Sequence, residues 1–392
     1  MKVPGIETVK MEKHLPFPIE EFQHRLARAR QAMAPRGLDA LLVHTPENIY
    51  YLSGYQTAGY YCYQCLLVPA SGEPIHLTRG TEETNAKALS WIERTTSYMD
   101  HEDPVELTAA TLKEQGFARA RIGVEKISWF LTVAHFERLQ ELLPDAAFVD
   151  GSGIVEACRV VKSEREVAYI RQAARLAEAG MEAGLGAIRA GATEDEVASE
   201  IQRETTLLGS EYPGLPVFVA SGVRSSFAHA TWSGRKIEAG DPVLLELSGC
   251  VKRYSAALMR CAVVGPPSAQ LQRMSDVSRE ALEAMLLAIR PGRPLGEVWQ
   301  VWADAMARGG FEGGFKRTGY SIGINFPPDW GEGYILSFRR GEPRVLEPNM
   351  TFHIPSMVKL FGVADMAHSE TVRVTGTGCE LLTNFERRLF VR

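Results

Sequence analysis

The sequence predicts a two-domain α/β protein. A small α/β domain spans residues 1–160, and a duplicated α+β domain spans residues 161–392. Three observations predict this. Helical and strand-like patterns alternate through residues 1–155, as they do when helices flank a mixed or parallel sheet. Ser163 followed three residues on by Glu166 forms a capping box that opens a long helix from Glu164 to about residue 188. The phrase AIRAGATEDEV at 187–197 returns as AIRPGRPLGEV at 288–298, 101 residues later. Each copy ends a helix, turns at Gly191 or Gly292, and opens the next helix with acidic residues in reach of its first turn.

In the first domain, residues 19–36 carry apolar side chains at helical spacing, and Gly37 suits the position after the helix end. Residues 38–43 read as a buried strand. Residues 48–54 lead into the aromatic run Tyr55, Tyr60, Tyr61 and Tyr63. Residues 65–69 and 75–77 form a strand pair around Ala70-Ser71-Gly72-Glu73. Helices are expected over 81–92, 105–115 and 132–143, with a strand at 122–124. In the second domain, 243–247 and 258–264 are apolar strands, with Gly249 and Lys252-Arg253-Tyr254 as the turn. One acid, Glu246, sits inside the first of these strands. A lone buried charge costs several kcal/mol, so an acid there is either paired or in use.

The net charge of −5 argues against a general nucleic-acid or anionic-membrane partner. No apolar run approaches the ~18 residues of a membrane span, and residues 1–30 hold no apolar leader core. A cytoplasmic protein acting on a small molecule is the expectation. The six cysteines are scattered, and Cys62-x-x-Cys65 has no second pair to complete a zinc site, so buried free thiols are expected.

The run 240–264 resembles a block of the creatinase, prolidase, aminopeptidase P and methionine aminopeptidase family. Gly240-Asp241 opens it, and Tyr254 and Arg260 hold the family's tyrosine and arginine places. The resemblance implies a creatinase-like N-terminal domain and a catalytic domain of the pita-bread fold, whose two halves are pseudo-symmetric. Metal-dependent members use two Asp, one His and two Glu as ligands. The matching places here hold Glu246, Ala257, Tyr320, Pro355 and Ser369. Four of the five cannot serve in the usual way, so neither a metal nor another cofactor is expected. A makeshift set drawn from His229, Glu246, His353, His368 and Glu370 is the alternative.

Within the family the chain looks most similar to the ectoine hydrolases. The shared phrases are His229-x-Thr231-Trp232, Glu246, 250–254, Gly319-Tyr320-x-Ile322-Gly323, 327–332, 350–353 and 389–391. The resemblance implies metal-independent hydrolysis of a non-peptide C–N bond in an amidine, with ectoine as the leading substrate. Glu246 would attack or activate water, His229 would move the proton, and Glu370 and Tyr320 would stabilise developing charge. Tyr55, Tyr60, Tyr254, Asp329, Trp330 and His353 would bind substrate. In particular, the stretch 327–332 sets an aromatic between two acids, which suits a compact cation. The first domain departs from the pattern at Gly54-Tyr55-Gln56 and Ala58-Gly59-Tyr60, a difference that bears on the substrate. A homodimer is implied. A metal-dependent peptidase and a non-catalytic binding protein are the rival readings.

Overall fold

The computed structural model describes residues 12–311 and 317–392, and the chain divides into two compact units, Met1–Arg159 and Val160–Arg392. The first unit is a six-stranded sheet with helices. In chain order its elements are α1 (Ile19–Met33), β1 (Ala40–Val43), α2 (Pro46–Ser53), β2 (Cys65–Pro69), β3 (Ile75–Arg79), α3 (Glu83–Leu89), β4 (Thr95–Tyr98), α4 (Pro104–Glu114), β5 (Arg121–Val124), α5 (Val133–Leu142), β6 (Ala147–Asp150) and α6 (Ile154–Arg159). The strand order is β4-β3-β2-β1-β5-β6. β1–β2 and β2–β3 are antiparallel, while β3–β4, β1–β5 and β5–β6 are parallel. The expected helix over 81–92 is shorter, because a 3₁₀ turn occupies Gly80–Glu82 and the helix ends at Leu89. Residues 46–53, read only as a connection, form a helix that starts with Pro46 at its first position and ends on Gly54 at φ 82°.

The second unit contains α7 (Glu164–Ala187), α8 (Glu194–Leu207), β7 (Phe218–Ser221), β8 (Pro242–Val251), β9 (Tyr254–Val263), α9 (Ala269–Ala288), α10 (Leu295–Arg308), β10 (Arg317–Phe326), β11 (Asp329–Gly331), β12 (Ser337–Arg339), β13 (Thr351–Leu360), β14 (Ala364–Val374), β15 (Cys379–Leu381) and β16 (Phe390–Val391). The main sheet runs β15-β14-β13-β10-β9-β8-β7, with β11 and β12 on β10 and β16 on β9. The Ser163–Glu166 capping box is formed and opens α7.

The duplication in the sequence is a duplication in space. α7 and α9 both end on an Ala, and Gly191 and Gly292 follow at φ 87° and 78°. Gly191 N–H donates to Ile237 O and Gly292 N–H to Leu346 O, both at 2.8 Å. Isolated bridges Thr193↔Lys236 and Pro294↔Val345 then tie each second helix to its returning chain. One half is thus α7, α8, β7, β8 and β9. The other is α9, α10, β10, β13 and β14.

The β8–β9 hairpin differs from expectation in its turn. β8 continues through Gly249 to Val251, and only Lys252 and Arg253 turn, both at positive φ (47° and 60°). Two such residues fit the twist of a two-residue hairpin, at a steric cost for non-glycine side chains. Arg253 offsets it by donating to Asn325 O (3.0 and 2.7 Å) and Tyr212 O (2.8 Å). Gly249 serves packing instead, since a Cβ there would lie 2.2 Å from Ala173 O, so its absence lets α7 close on β8.

Val243, Leu245 and Leu247 of β8 pack with Ala177, Met181, Val197 and Ile201 of α7 and α8. Ser356 and His368 reach Ser278 of α9. These contacts decide which strand face meets the helices and which faces the site, because side chains alternate along a strand. No helix among the described residues is long and apolar enough to cross a membrane.

Candidate active site

Glu246 sits on β8 facing away from α7 and α8, between Phe218 of β7 and Met259 of β9 in the register. Its carboxylate makes no hydrogen bond or ion pair among the described residues. Burial pushes its pKa up to about 8. The charge of Lys359 opposes this shift and that of Asp329 adds to it. Among the described residues, the acid inside the apolar strand is therefore not consumed by a protein partner.

Around it stands a small apolar group of Phe218, Ala257, Ile322 and Trp330, with Leu215 and Tyr320 against it. Phe218 meets Trp330 edge-on at 5.5 Å and His229 at 5.9 Å. His229 is exposed and has φ 57°, in the left-handed region. Asp329 accepts from Gly331 N–H at 2.9 Å, and burial raises its pKa, with Arg317 and His229 opposing. Tyr320 lies opposite His353 in the β10–β13 register. Its hydroxyl receives the Trp330 indole N–H at 3.0 Å and lies 2.8 Å from His353 Nδ1. His353 Nε2 lies 2.8 Å from Ser369 Oγ, which in turn accepts Met259 N–H at 2.7 Å. Burial drives the His353 pKa down to about 3, so the ring is neutral. Apolar side chains with a few converging polar groups are the usual lining of a small-molecule site.

The structure thus brings together Glu246, His229, Tyr320, Asp329, Trp330 and His353. It places Glu370 elsewhere. Glu370 alternates with Ser369 and Thr371 on β14 and so takes the opposite face. There it pairs with the fully buried Arg260 at 2.7 Å and accepts from Thr383 Oγ1. Arg260 also donates to the carbonyls of Glu386, Ser369 and Phe385. This is a structural ion pair that ties β9 to β14 and the chain around 385. Tyr254 is also turned away. It is fully buried, and its hydroxyl donates to Glu166 Oε1 on α7 at 2.7 Å.

Tyr55 and Tyr60 belong to the first unit. The Tyr55 hydroxyl is buried 3.5 Å from Thr78 Oγ1 and its ring packs on His76, while the Tyr60 ring meets Phe130 edge-on.

Two residues of the site escaped the sequence reading. Ser248 is two positions from Glu246 on the same strand face, and its buried hydroxyl has no hydrogen-bond partner among the described residues. Lys359 shares the β13 face of His353, pairs with Asp365 at 3.1 Å, and acts electrostatically on Glu246. The period-two alternation that exposes both was available. For Ser248 it needed only Glu246 as a reference.

The five places at which the resemblance puts metal ligands do not fit a metal. Ala257 and Pro355 have no side-chain donor, and the hydroxyls of Tyr320 and Ser369 are engaged with His353. Among the described residues, no group of three or more His, Cys, Asp or Glu is arranged so that it could hold a metal ion. The makeshift set is divided by the sheet, with His368 and Glu370 on the face of β14 opposite that of Ser369.

Residues 168–376 match the family description "Metallopeptidase family M24", and residues 25–161 match "Creatinase/Prolidase N-terminal domain". The chain is 32% identical over 399 residues to ectoine hydrolase of Halomonas elongata, covering 96% of this chain and 99% of that protein. It is equally 32% identical, over 391 residues, to an uncharacterized hydrolase/peptidase of Sinorhizobium fredii, covering 96% of this chain and 99% of that one. Among solved structures, a prolidase from Thermococcus sibiricus superposes with a TM-score of 0.86 at 21% identity, covering 95% and 99% of the two chains. An X-Pro aminopeptidase from Thermotoga maritima superposes at 0.82 with 23% identity, covering 94% and 99%. These two likenesses concern the fold.

Proposed function

The chain belongs to metallopeptidase family M24, with a creatinase/prolidase N-terminal domain, and from that premise we propose that it is a metal-independent hydrolase of a C–N bond in a small amidine, with ectoine or a close cyclic amidine as substrate. The observation that carries the reading is Glu246, a carboxylate without a hydrogen-bond or ion-pair partner among the described residues, set beside an aromatic cluster where the other ligand places hold two residues without a side-chain donor and two hydroxyls engaged with His353. The 32% identity to an ectoine hydrolase over nearly the whole chain supports the choice of substrate.

An amidinium is a flat cation with an electrophilic carbon between two nitrogens. Glu246 and Asp329 supply negative charge for it, and Trp330 and Tyr320 supply flat walls. The cation would bring the Glu246 pKa down from about 8 and leave a carboxylate more basic than usual. Glu246 takes a proton from water as the water oxygen bonds to the amidinium carbon. The C–N bond then breaks, and the departing nitrogen takes a proton by way of His229. With ectoine the product is an N-acetyl-diaminobutyrate. Glu370 contributes by holding Arg260 and β14 in place, without touching the substrate.

The test is a mass-spectrometric screen of the purified protein with ectoine, hydroxyectoine, creatine and X-Pro dipeptides. Ring-opened product from a cyclic amidine is expected. Cleavage confined to X-Pro dipeptides would replace the reading with a peptidase, and cleavage confined to creatine would replace it with a guanidino hydrolase.

A further inference from the structure

Tyr320, His353 and Ser369 form a hydrogen-bonded chain whose two ends are held by groups that only donate. The Trp330 indole N–H points at Tyr320 Oη (3.0 Å), and the Met259 backbone N–H points at Ser369 Oγ (2.7 Å). Between them His353, neutral and fully buried, has one ring N–H and one ring acceptor. Two proton arrangements satisfy the distances. In the first, Tyr320 donates to Nδ1 and Nε2–H donates to Ser369. Ser369 Oγ then accepts twice, and its own proton is stranded in a fully buried position with no other acceptor among the described residues. In the second, Ser369 O–H donates to Nε2, and Nδ1–H donates to Tyr320 Oη. Each buried proton along the chain then has an acceptor. The one left over belongs to Tyr320, a residue of intermediate exposure whose hydroxyl is in electrostatic reach of the Glu246 carboxylate, an acceptor that the Ser369 proton lacks. A stranded buried donor carries the full desolvation penalty of an unmade hydrogen bond, so the second arrangement prevails.

We infer that Ser369 and His353 are positioning residues that turn the Tyr320 hydroxyl proton into the site, where it meets an acceptor atom of the substrate. An oxygen that accepts two hydrogen bonds is polarised into a stronger donor. Tyr320 thus offers a fixed donor at the place where the resemblance puts a metal-binding imidazole. Resting on the amidine reading, the acceptor is the lone pair that appears on an amidine nitrogen as the carbon between the nitrogens becomes tetrahedral. Before addition both nitrogens of the cation carry donors only. The contact therefore forms as the reaction proceeds and acts on kcat rather than KM.

Two measurements test this, and the first needs no substrate. ¹⁵N NMR of histidine-labelled protein reads the His353 tautomer, with the signal assigned by its loss in His353→Gln. A proton on Nδ1 is expected, and a proton on Nε2 overturns the inference whatever the substrate proves to be. The second is kinetic, on the best amidine found. Tyr320→Phe should lower kcat by about 10²-fold, the scale of losing one transition-state donor, with KM nearly unchanged. Ser369→Ala should lower kcat in the same way, and Ser369→Thr should restore it. The double variant Tyr320→Phe/Ser369→Ala should be no slower than Tyr320→Phe alone, because Ser369 acts through that hydroxyl. Losses that multiply in the double variant, or wild-type kcat in Ser369→Ala, overturn the inference.

Discussion

Replacing Glu246 by Gln should make the protein more stable at alkaline pH while removing its activity. The carboxyl of Glu246 ionises near pH 8 in the folded chain against an ordinary value of 4.5, chiefly because of burial. The folded state therefore holds a proton that the unfolded state has released throughout the window between these values. Stability falls as pH rises wherever the folded state binds more protons, with a slope of about 1.4 kcal/mol per pH unit for one group. Across the whole window the ceiling is about 5 kcal/mol, and partial solvent access to the carboxylate screens it to roughly half of that. Gln has the same shape and no charge, so Glu246→Gln escapes the loss. Melts of the two proteins should nearly coincide at pH 5 and separate by roughly 5–10 °C at pH 9, with the variant higher, for a folding unit of this size. Groups common to both proteins cancel in the difference. In the same preparation kcat on an amidine should fall by at least ~10³. A variant that melts at or below wild type at pH 9, or a gap that does not change with pH, would refute the burial argument. A folded variant with near-wild-type kcat would remove Glu246 from the chemistry.

Three further outcomes follow from the same geometry. Glu370→Gln leaves the buried Arg260 charge without its carboxylate, so it should cost about 3–5 kcal/mol of stability, with KM of the folded fraction unchanged; a raised KM without loss of stability would return Glu370 to the site. Because the ligand places hold Ala257, Tyr320, Pro355 and Ser369, exhaustive chelation should leave turnover intact, and activity lost on chelation and restored by a divalent metal would contradict the proposed chemistry. Exposed apolar side chains in the first unit (Tyr61, Trp129 and Val133) and in the second (Phe227 stacked on Phe361) suit a protein partner, so light scattering should show a homodimer, and a fully active monomer at working concentration would exclude it.

Local chemistry explains what was readable in the sequence itself. Ser163 and Glu166 announce a helix start, Gly191 and Gly292 announce two equivalent helix ends, and the repeat around them announces a duplicated domain. Each helix start and end involves residues within a few positions of one another, and the repeat is a match between two such local phrases. The hairpin 242–263 was equally plain from its two apolar runs, and an acid within one of them drew notice to Glu246. The turn was misplaced because Gly249 is there for α7, a contact with Ala173 that lies 76 positions away in the chain. Roles within the site depended still more on tertiary structure. Ser369 and Glu370 are neighbours in sequence, yet one bonds His353 on the site side and the other is locked to Arg260 on the far side. Alternation along a strand says that adjacent side chains face opposite ways, but not which way faces the site. That is decided by which side the helices cover, and hence by packing between segments far apart in the chain, as between Ser278 of α9 and His368 of β14.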